Sequence, residues 1–417
     1  MSLKTQSKSS VIETDTIEAW VKWLASYGQS DTGGVNRPLY SSAWIQAQKA
    51  LKERMDYLGF TTHYDSIGNL FGRVQGSDQD GTTVLTGSHI DTVLDGGMYD
   101  GVYGIIASLI ATHNLYHKYG TPRKSIEVVS LCEEEGSRFP ITFWGSGNIT
   151  GKYSLTDGVN KRDIDGTELL DAMKIAGFDP ENYTSPKRKD LDCFIELHVE
   201  QGIVLERTGK SLGIVSHIVG QRRFTVKVSG ESNHAGTTPM PYRKDAMHIS
   251  SQLITELTEK TKKYDPDLVA TVGQLTARPN VPNVIAGEVV FTLDVRHHQE
   301  ETLRTFCKDL AHLFQKKAKD HSVHITMEPW LSIKPVEMDA ALTYTSEQAA
   351  AESNIAYKTL YSGAGHDAQL FGNFCPTALL FVPSKDGISH SPKEFTTKED
   401  LQAGVDVLTA LLYKLAY

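Results

Sequence analysis

His89 stands in Gly87-Ser88-His89-Ile90-Asp91-Thr92, Asp100 follows eleven residues on, and Glu135 comes thirty-five residues beyond that, in the acidic run Glu133-Glu134-Glu135. A histidine and two carboxylates so arranged can hold a pair of divalent cations, and a carboxylate can bridge two such ions. His198 and His390, in polar, glycine-flanked settings, would complete the shell. Five donors of mixed nitrogen and oxygen type suit zinc, manganese or cobalt. The chemistry to expect is metal-dependent hydrolysis.

Each of these residues also has a plainer reading. A metal-bound imidazole usually donates its other N–H to a carboxylate, which gives Asp91 a reason to follow His89; alone, a His-x-Asp pair is most often structural. Asp100, in Gly96-Gly97-Met98-Tyr99-Asp100-Gly101, could cap a helix starting at Gly101, bridge two cations, or do both. Three adjacent glutamates usually mark a solvated face. Here the apolar run Val128-Val129-Ser130-Leu131-Cys132 delivers them to a sheet edge, where like charges need a cation. One glutamate could then bind metal while a neighbour acts as general base on a water whose pKa the metal has lowered toward ~7. Neutral imidazoles are required, so cation affinity should fall in mild acid.

Outside this set, His234 lies in the small, polar loop Ser232-Asn233-His234-Ala235-Gly236-Thr237-Thr238-Pro239, near Arg243. It could stabilise an oxyanion. Asn283 and Arg296 read, by themselves, as surface or packing residues. Gly363-Ala364-Gly365-His366-Asp367 is either a turn or a helix N-terminus offering N–H groups to an anion.

These residues need a scaffold. Thr83–Ser88, Ser125–Cys132, Cys193–Leu197 and Thr377–Val382 read as buried strands, each running into a candidate ligand or its loop. A helix is expected from about Gly101 to Tyr119, with Ile105, Ile106, Leu109 and Ile110 at helical spacing. Strands alternating with helices indicate an α/β fold, a mostly parallel sheet with helices on both faces. Its ligands would sit beyond the carboxyl ends of the strands, where open α/β sheets place their sites. From Gly213 to about Trp330 the pattern becomes alternating, as in Phe224–Val228 and Val289–Arg296, with helical stretches at Lys244–Lys262 and Glu300–Lys319. Alternation suits a sheet with one wet face. The expected organisation is a discontinuous catalytic domain, 1–212 and 331–417, with a smaller α+β lid or dimerisation domain, 213–330, inserted.

A chain of 417 residues is long for one hydrophobic core, which agrees with two domains. The net charge of −9 gives no basic footprint for nucleic acid or an anionic membrane. Four scattered cysteines, Cys132, Cys193, Cys307 and Cys375, argue against a disulfide framework or a cysteine-built zinc site. The most apolar run, Gly104–Ala111, is far short of the ~20 residues that cross a bilayer. Met1–Ser10 is polar and lacks the apolar core of a signal peptide, so a cytoplasmic enzyme is the simplest expectation.

Taken together, the chain resembles the M20 metallopeptidase clan, in its amidohydrolase (hydantoinase/carbamoylase) branch. The likeness rests on Gly87–Thr92, Glu135-Gly136-Ser137-Arg138-Phe139-Pro140, Glu196-Leu197-His198-Val199-Glu200-Gln201-Gly202, His234–Met240 and Gly387-Ile388-Ser389-His390-Ser391-Pro392. Within that branch, Phe143-Trp144-Gly145-Ser146, Val219–Arg223 and Ser362–Gln369 are most similar to allantoate amidohydrolases, which release ammonia and carbon dioxide from one ureido group of allantoate and leave ureidoglycine. N-carbamoyl-L-amino-acid hydrolases are the nearest alternative, and aminoacylases or dipeptidases of the clan a more distant one.

The resemblance implies two divalent metal ions per subunit, manganese or zinc, with cobalt also accepted. His89, Asp100 and His198 would hold one, and Asp100, Glu135 and His390 the other, with Asp100 bridging. It makes Glu135 the ligand and Glu134 the base, because the ligand in this branch is the acid directly before the glycine. It also implies a homodimer whose inserted domain acts as a lid, with His234 reaching the partner subunit's metals to polarise the carbonyl. Asn283 and Arg296 match positions that grip the carboxylate of a small ureido substrate; Gln201, His217 and Gly365 match positions near it.

Overall fold

The computed structural model describes residues 16–78 and 81–417; the Met1–Ser10 segment lies outside the described residues. The chain divides into two compact units, one formed by the residues up to Ser216 together with Glu337–Tyr417, the other by His217–Val336.

The first unit is an α/β structure built on a nine-stranded sheet. Its centre runs Ser125–Leu131, Thr83–His89, Leu191–Val199, Thr377–Val382, with all three pairings parallel. Thr83–His89, Ser125–Leu131 and Thr377–Val382 are buried at every position, so both faces are covered. That is why these strands read as continuous rather than alternating apolar runs. The flanks are antiparallel: Leu70–Val74 pairs with Ser125–Leu131, and Leu212–Ile218 with Thr377–Val382.

The helix Val102–Tyr119 is buried around most of its circumference and packs on the Lys398–Ala416 helix and the central strands. Gly101, with φ 66°, stands at its N-cap position, and no side chain caps it. The capping expectation for Asp100 is therefore corrected: its carboxylate is directed elsewhere. A Cβ on Gly101 would collide with the backbone oxygen and imidazole of His89, so only glycine permits this approach.

The second unit is an antiparallel sheet in the order His324–Ile333, Gly220–Ser229, Glu288–His297, Val269–Thr271, with Leu275–Arg278 also paired to Glu288–His297. Glu288–His297 alternates half-buried and buried positions. Val289, Phe291, Leu293 and Val295 form one core with Leu253 and Leu257 of the Ala246–Tyr264 helix and Phe306, Leu310 and Phe314 of the Glu300–Asp320 helix. Among the described residues, no helix is long and apolar enough to cross a membrane.

Candidate metal centre

Five candidate ligands gather where the central strands end. His89 is the last residue of Thr83–His89, His198 the penultimate residue of Leu191–Val199, and the glutamates follow Ser125–Leu131 after Cys132. His390 lies in the loop after Thr377–Val382, and Asp100 in the turn before the Val102–Tyr119 helix.

The two oxygens of Asp100 face different partners. Oδ1 lies 3.3 Å from His89 Nε2 and 3.1 Å from His198 Nε2; Oδ2 lies 3.3 Å from His390 Nε2. His390 Nε2 is in turn 3.4 Å from Glu135 Oε1. Donor atoms of His89, Asp100 and His198 lie close enough together to hold one ion, and so do those of Asp100, Glu135 and His390; a third grouping joins His89, Glu134 and Glu135.

The far sides of the imidazoles are occupied. His89 Nδ1 is 3.1 Å from the Asp91 carbonyl oxygen and 3.3 Å from Asp91 Oδ1, while His198 Nδ1 is 2.9 Å from the Val199 carbonyl oxygen. Placing the protons on Nδ1 satisfies these acceptors and turns the Nε2 lone pairs inward. His198 Nε2 accordingly accepts the Gly101 N–H at 3.1 Å. Asp91 also receives the N–H groups of Glu134 at 3.0 Å and Glu135 at 3.2 Å.

This donor set fits a cation. Asp100 Oδ1 is buried and makes no hydrogen bond, although two imidazole nitrogens are within 3.3 Å. Lone pairs converging on a buried carboxylate oxygen repel one another unless a positive charge lies between them. In the metal-free protein, protons on the imidazoles take a cation's place beside Asp100, while the glutamates stay crowded. Despite burial, the neighbouring His198, His390 and His89 hold Asp100 well below the usual carboxylate range. Burial, and then Asp100, push Glu135 up to about 7; burial and Glu135 push Glu134 well above its usual value. Asp100 raises His390 to about 9.

Other expected residues fall around this centre. The Gln201 amide donates to Asp100 Oδ2 at 3.0 Å and Ser389 Oγ at 3.2 Å, and lies 3.3 Å from His390 Nε2, so it touches two of the candidate ligands. Gly365 is exposed, and a Cβ there would press on the Phe143 ring at 3.0 Å. The adjoining His366 ring stands 4.7 Å from that of His198. Glu133 joins no ligand grouping; Gly136 N–H donates to its Oε1, and its Oε2 is buried without a partner.

Four expected residues belong to the second unit. His234 is exposed, and its Nδ1 accepts from the Gly236 and Thr237 N–H groups at 3.0 and 3.2 Å, which leaves the proton on Nε2. Arg243 braces that loop by donating to the carbonyls of Thr238 and Ala235. Asn283 lies beside it: Ala235 N–H donates to the Asn283 carbonyl at 3.0 Å, and His234 bridges to Val284. Arg296 makes a two-pronged contact with Asp294 at 3.0 and 3.1 Å, and Asp294 also receives Arg223 and Gln221. The His217 ring lies 5.7 Å from that of His298.

Sequence reasoning missed Glu394, a buried carboxylate that holds the backbone of the Asp100 turn. Its one signal was its place four residues after His390.

Residues 85–414 match the model for peptidase family M20/M25/M40, a span that includes all five candidate ligands. The chain is 46% identical to an allantoate amidohydrolase of Bacillus subtilis, covering 97% of this chain and 98% of that one. It is 43% identical to an allantoate amidohydrolase of Escherichia coli, covering 96% and 98%. A solved hydantoinase/carbamoylase-family amidase from Burkholderia multivorans superposes with a TM-score of 0.91 at 32% identity, covering 96% of this chain and 97% of the other. With the match running through both units and every candidate ligand, this chain belongs to peptidase family M20/M25/M40.

Proposed function

We propose that this chain hydrolyses a ureido C–N bond in allantoate, and that the carbamate so formed breaks down, so that ammonia and carbon dioxide are released and ureidoglycine is left. The observation that carries this reading is the likeness, over nearly the whole length, to two allantoate amidohydrolases. The convergent donor set supports the hydrolytic chemistry.

In this reading His89, Asp100 and His198 hold one divalent cation and Asp100, Glu135 and His390 a second; manganese, zinc and cobalt all suit these donors. When bound, such a pair supplies Lewis acidity that makes water acidic near neutral pH and offsets developing negative charge. The chain's own residues do the rest. Glu134 takes the proton of the water that attacks the ureido carbon, then returns it to the departing nitrogen. Its burial and its neighbour Glu135 raise its proton affinity, and so its strength as a base once it is ionised. His234, with its proton on Nε2, donates to the oxyanion, acting from the partner subunit of a homodimer. Arg296 and Asn283 hold the substrate carboxylate, and Gln201, His217 and Gly365 lie near the substrate. Asp91 fixes both the His89 ring and the glutamate loop.

An N-carbamoyl-L-amino-acid hydrolase would use the same centre with a different pocket. The test is ammonia release by the manganese-loaded protein from allantoate, beside N-carbamoyl-L-amino acids and ureidoglycolate. Metal-dependent release chiefly from allantoate is expected; preference for carbamoyl amino acids would replace the substrate assignment and keep the mechanism.

A further inference from the structure

Glu394 is 4% exposed, with a carboxylate divided between the Asp100 turn and its own loop, which carries His390. Its Oε1 accepts the backbone N–H groups of Tyr99 at 2.9 Å and Asp100 at 3.1 Å. Its Oε2 accepts the Ser389 hydroxyl at 2.7 Å, one residue before His390. Ser389 Oγ also lies 3.4 Å from Asp100 Oδ2, and the Gln201 amide contacts Ser389 Oγ, Asp100 Oδ2 and His390. The Asp100 turn and the His390 loop are almost 300 residues apart in sequence, as the 294-residue separation of the Asp100–Glu394 bond records. Close approach is built into the turn: a Cβ on Gly97 would overlap the Glu394 carboxyl group, so only glycine lets the backbone lie against it.

A buried carboxylate is costly unless its oxygens are satisfied, and here three donors from the two ligand-bearing loops satisfy them. Neither loop is held in a strand. His390 itself is half exposed, with a φ of 52° that a non-glycine side chain rarely adopts. Its own side-chain contacts there are the Asp100 carboxylate itself, Glu135 and the Gln201 amide. We propose that Glu394 is the positioning residue that locks Asp100 and His390 to each other, and so sets the affinity for the second cation. It touches neither substrate nor reacting atoms; it acts through the main chain of Asp100 and the hydroxyl of Ser389. Groups that orient metal ligands in this way typically change affinity by about 10- to 100-fold when removed.

The inference rests on the assignment of Asp100, Glu135 and His390 as ligands of one cation. Its test is calorimetric titration of the metal-free full chain with manganese, on the parent, Glu394→Ala, Glu394→Gln and Ser389→Ala. Two cations on the parent, a second step weakened about 10- to 100-fold in Glu394→Ala, and recovery to near parent affinity in Glu394→Gln are expected. Glutamine keeps an oxygen for the two N–H groups and an amide that can donate to Ser389 Oγ, so its rescue separates hydrogen bonding from charge, while Ser389→Ala, which leaves the Glu394 side chain in place, separates hydrogen bonding from packing. Should Glu394→Ala fail to fold, Ser389→Ala removes one contact alone and should still weaken the second step several-fold. A parent that binds fewer than two cations would refute the ligand assignment. A parent that binds two, with unchanged second steps in the folded variants or with equal weakening of both steps, would overturn the role of Glu394 alone.

Discussion

Asp91 Oδ1 accepts the Glu134 N–H at 3.0 Å, so the proposed base is held by the same carboxylate that abuts the His89 ring. One buried side chain thus links the end of the Thr83–His89 strand to the loop after Ser125–Leu131, and ties the orientation of a ligand to that of the base. Asp91→Asn retains an acceptor oxygen but can direct an N–H at His89 Nδ1, which favours the wrong tautomer. Cation affinity should fall about 10- to 100-fold, the usual scale for such orienting groups. Metal titration of the variant checks this; parent-like affinity would leave Asp91 a packing residue.

His198 and His390 should separate in their effects. His198 is buried among the strands, whereas His390 is half exposed in a loop. His198→Ala should lose a cation and also lower Tm, because it leaves a cavity and unpaired polar atoms behind. His390→Ala should lose a cation with little change in the Tm of the metal-free protein above about pH 9, where the contact with Asp100 no longer carries a proton. Elemental analysis beside thermal melting reads both. Equal Tm losses would contradict the difference in burial.

The pH dependence of the metal-free protein follows from groups whose folded pKa lies above the usual value. Contact with Asp100 raises His390 to about 9, a contribution fully present below 6.5 and lost as pH rises through about 9. Burial raises Glu135 and Glu394 to about 7 each, contributions present below 4.5 and lost as pH rises through about 7. Metal-free Tm should therefore decline between pH 6.5 and 9, above the range in which the depressed His113 and His366 act in the opposite sense. The gain on adding manganese should grow over the same range, since the cation displaces those protons. Melting curves with and without metal at three pH values decide this; a metal-free Tm that climbs across the window would contradict it.

Asp294 keeps hydrogen-bond partners when Arg296 is lost, because Arg223 at 2.8 Å and Gln221 at 2.6 Å still reach it. Arg296→Ala should accordingly fold and bind two cations. Loss of a charged hydrogen-bonding partner for the substrate carboxylate is worth about 1.5–3 kcal/mol, or about 10- to 150-fold in kcat/KM. Steady-state kinetics on allantoate should show the loss mainly in KM. An unchanged KM would remove Arg296 from the substrate site.

What could be read from sequence followed from continuity along the chain. His89, His198 and the glutamates end apolar strands, and a buried strand is visible as an unbroken apolar run. Asp100 was harder, since an aspartate before a helix looks the same whether it caps or binds metal. Gly101 resolves it, because its positive φ turns the chain so that the carboxylate faces the histidines. The adjacency of His234 and Asn283, and the grip of Glu394 on the Asp100 turn, depend on backbone pairings between distant segments. No local pattern encodes such pairings. The Arg296–Asp294 pair was two residues away in sequence and still invisible, since alternate residues on a strand share a face without having to touch.

Glu134→Gln puts the central claim to its most direct test, with cation content and turnover of allantoate measured on the same sample. The substitution keeps size and burial and removes the proton acceptor. Two cations per chain, as in the parent, with turnover reduced about 10²- to 10⁴-fold, is the expected result. Turnover equal to the parent would contradict Glu134 as the base, and loss of a cation would make it a ligand instead.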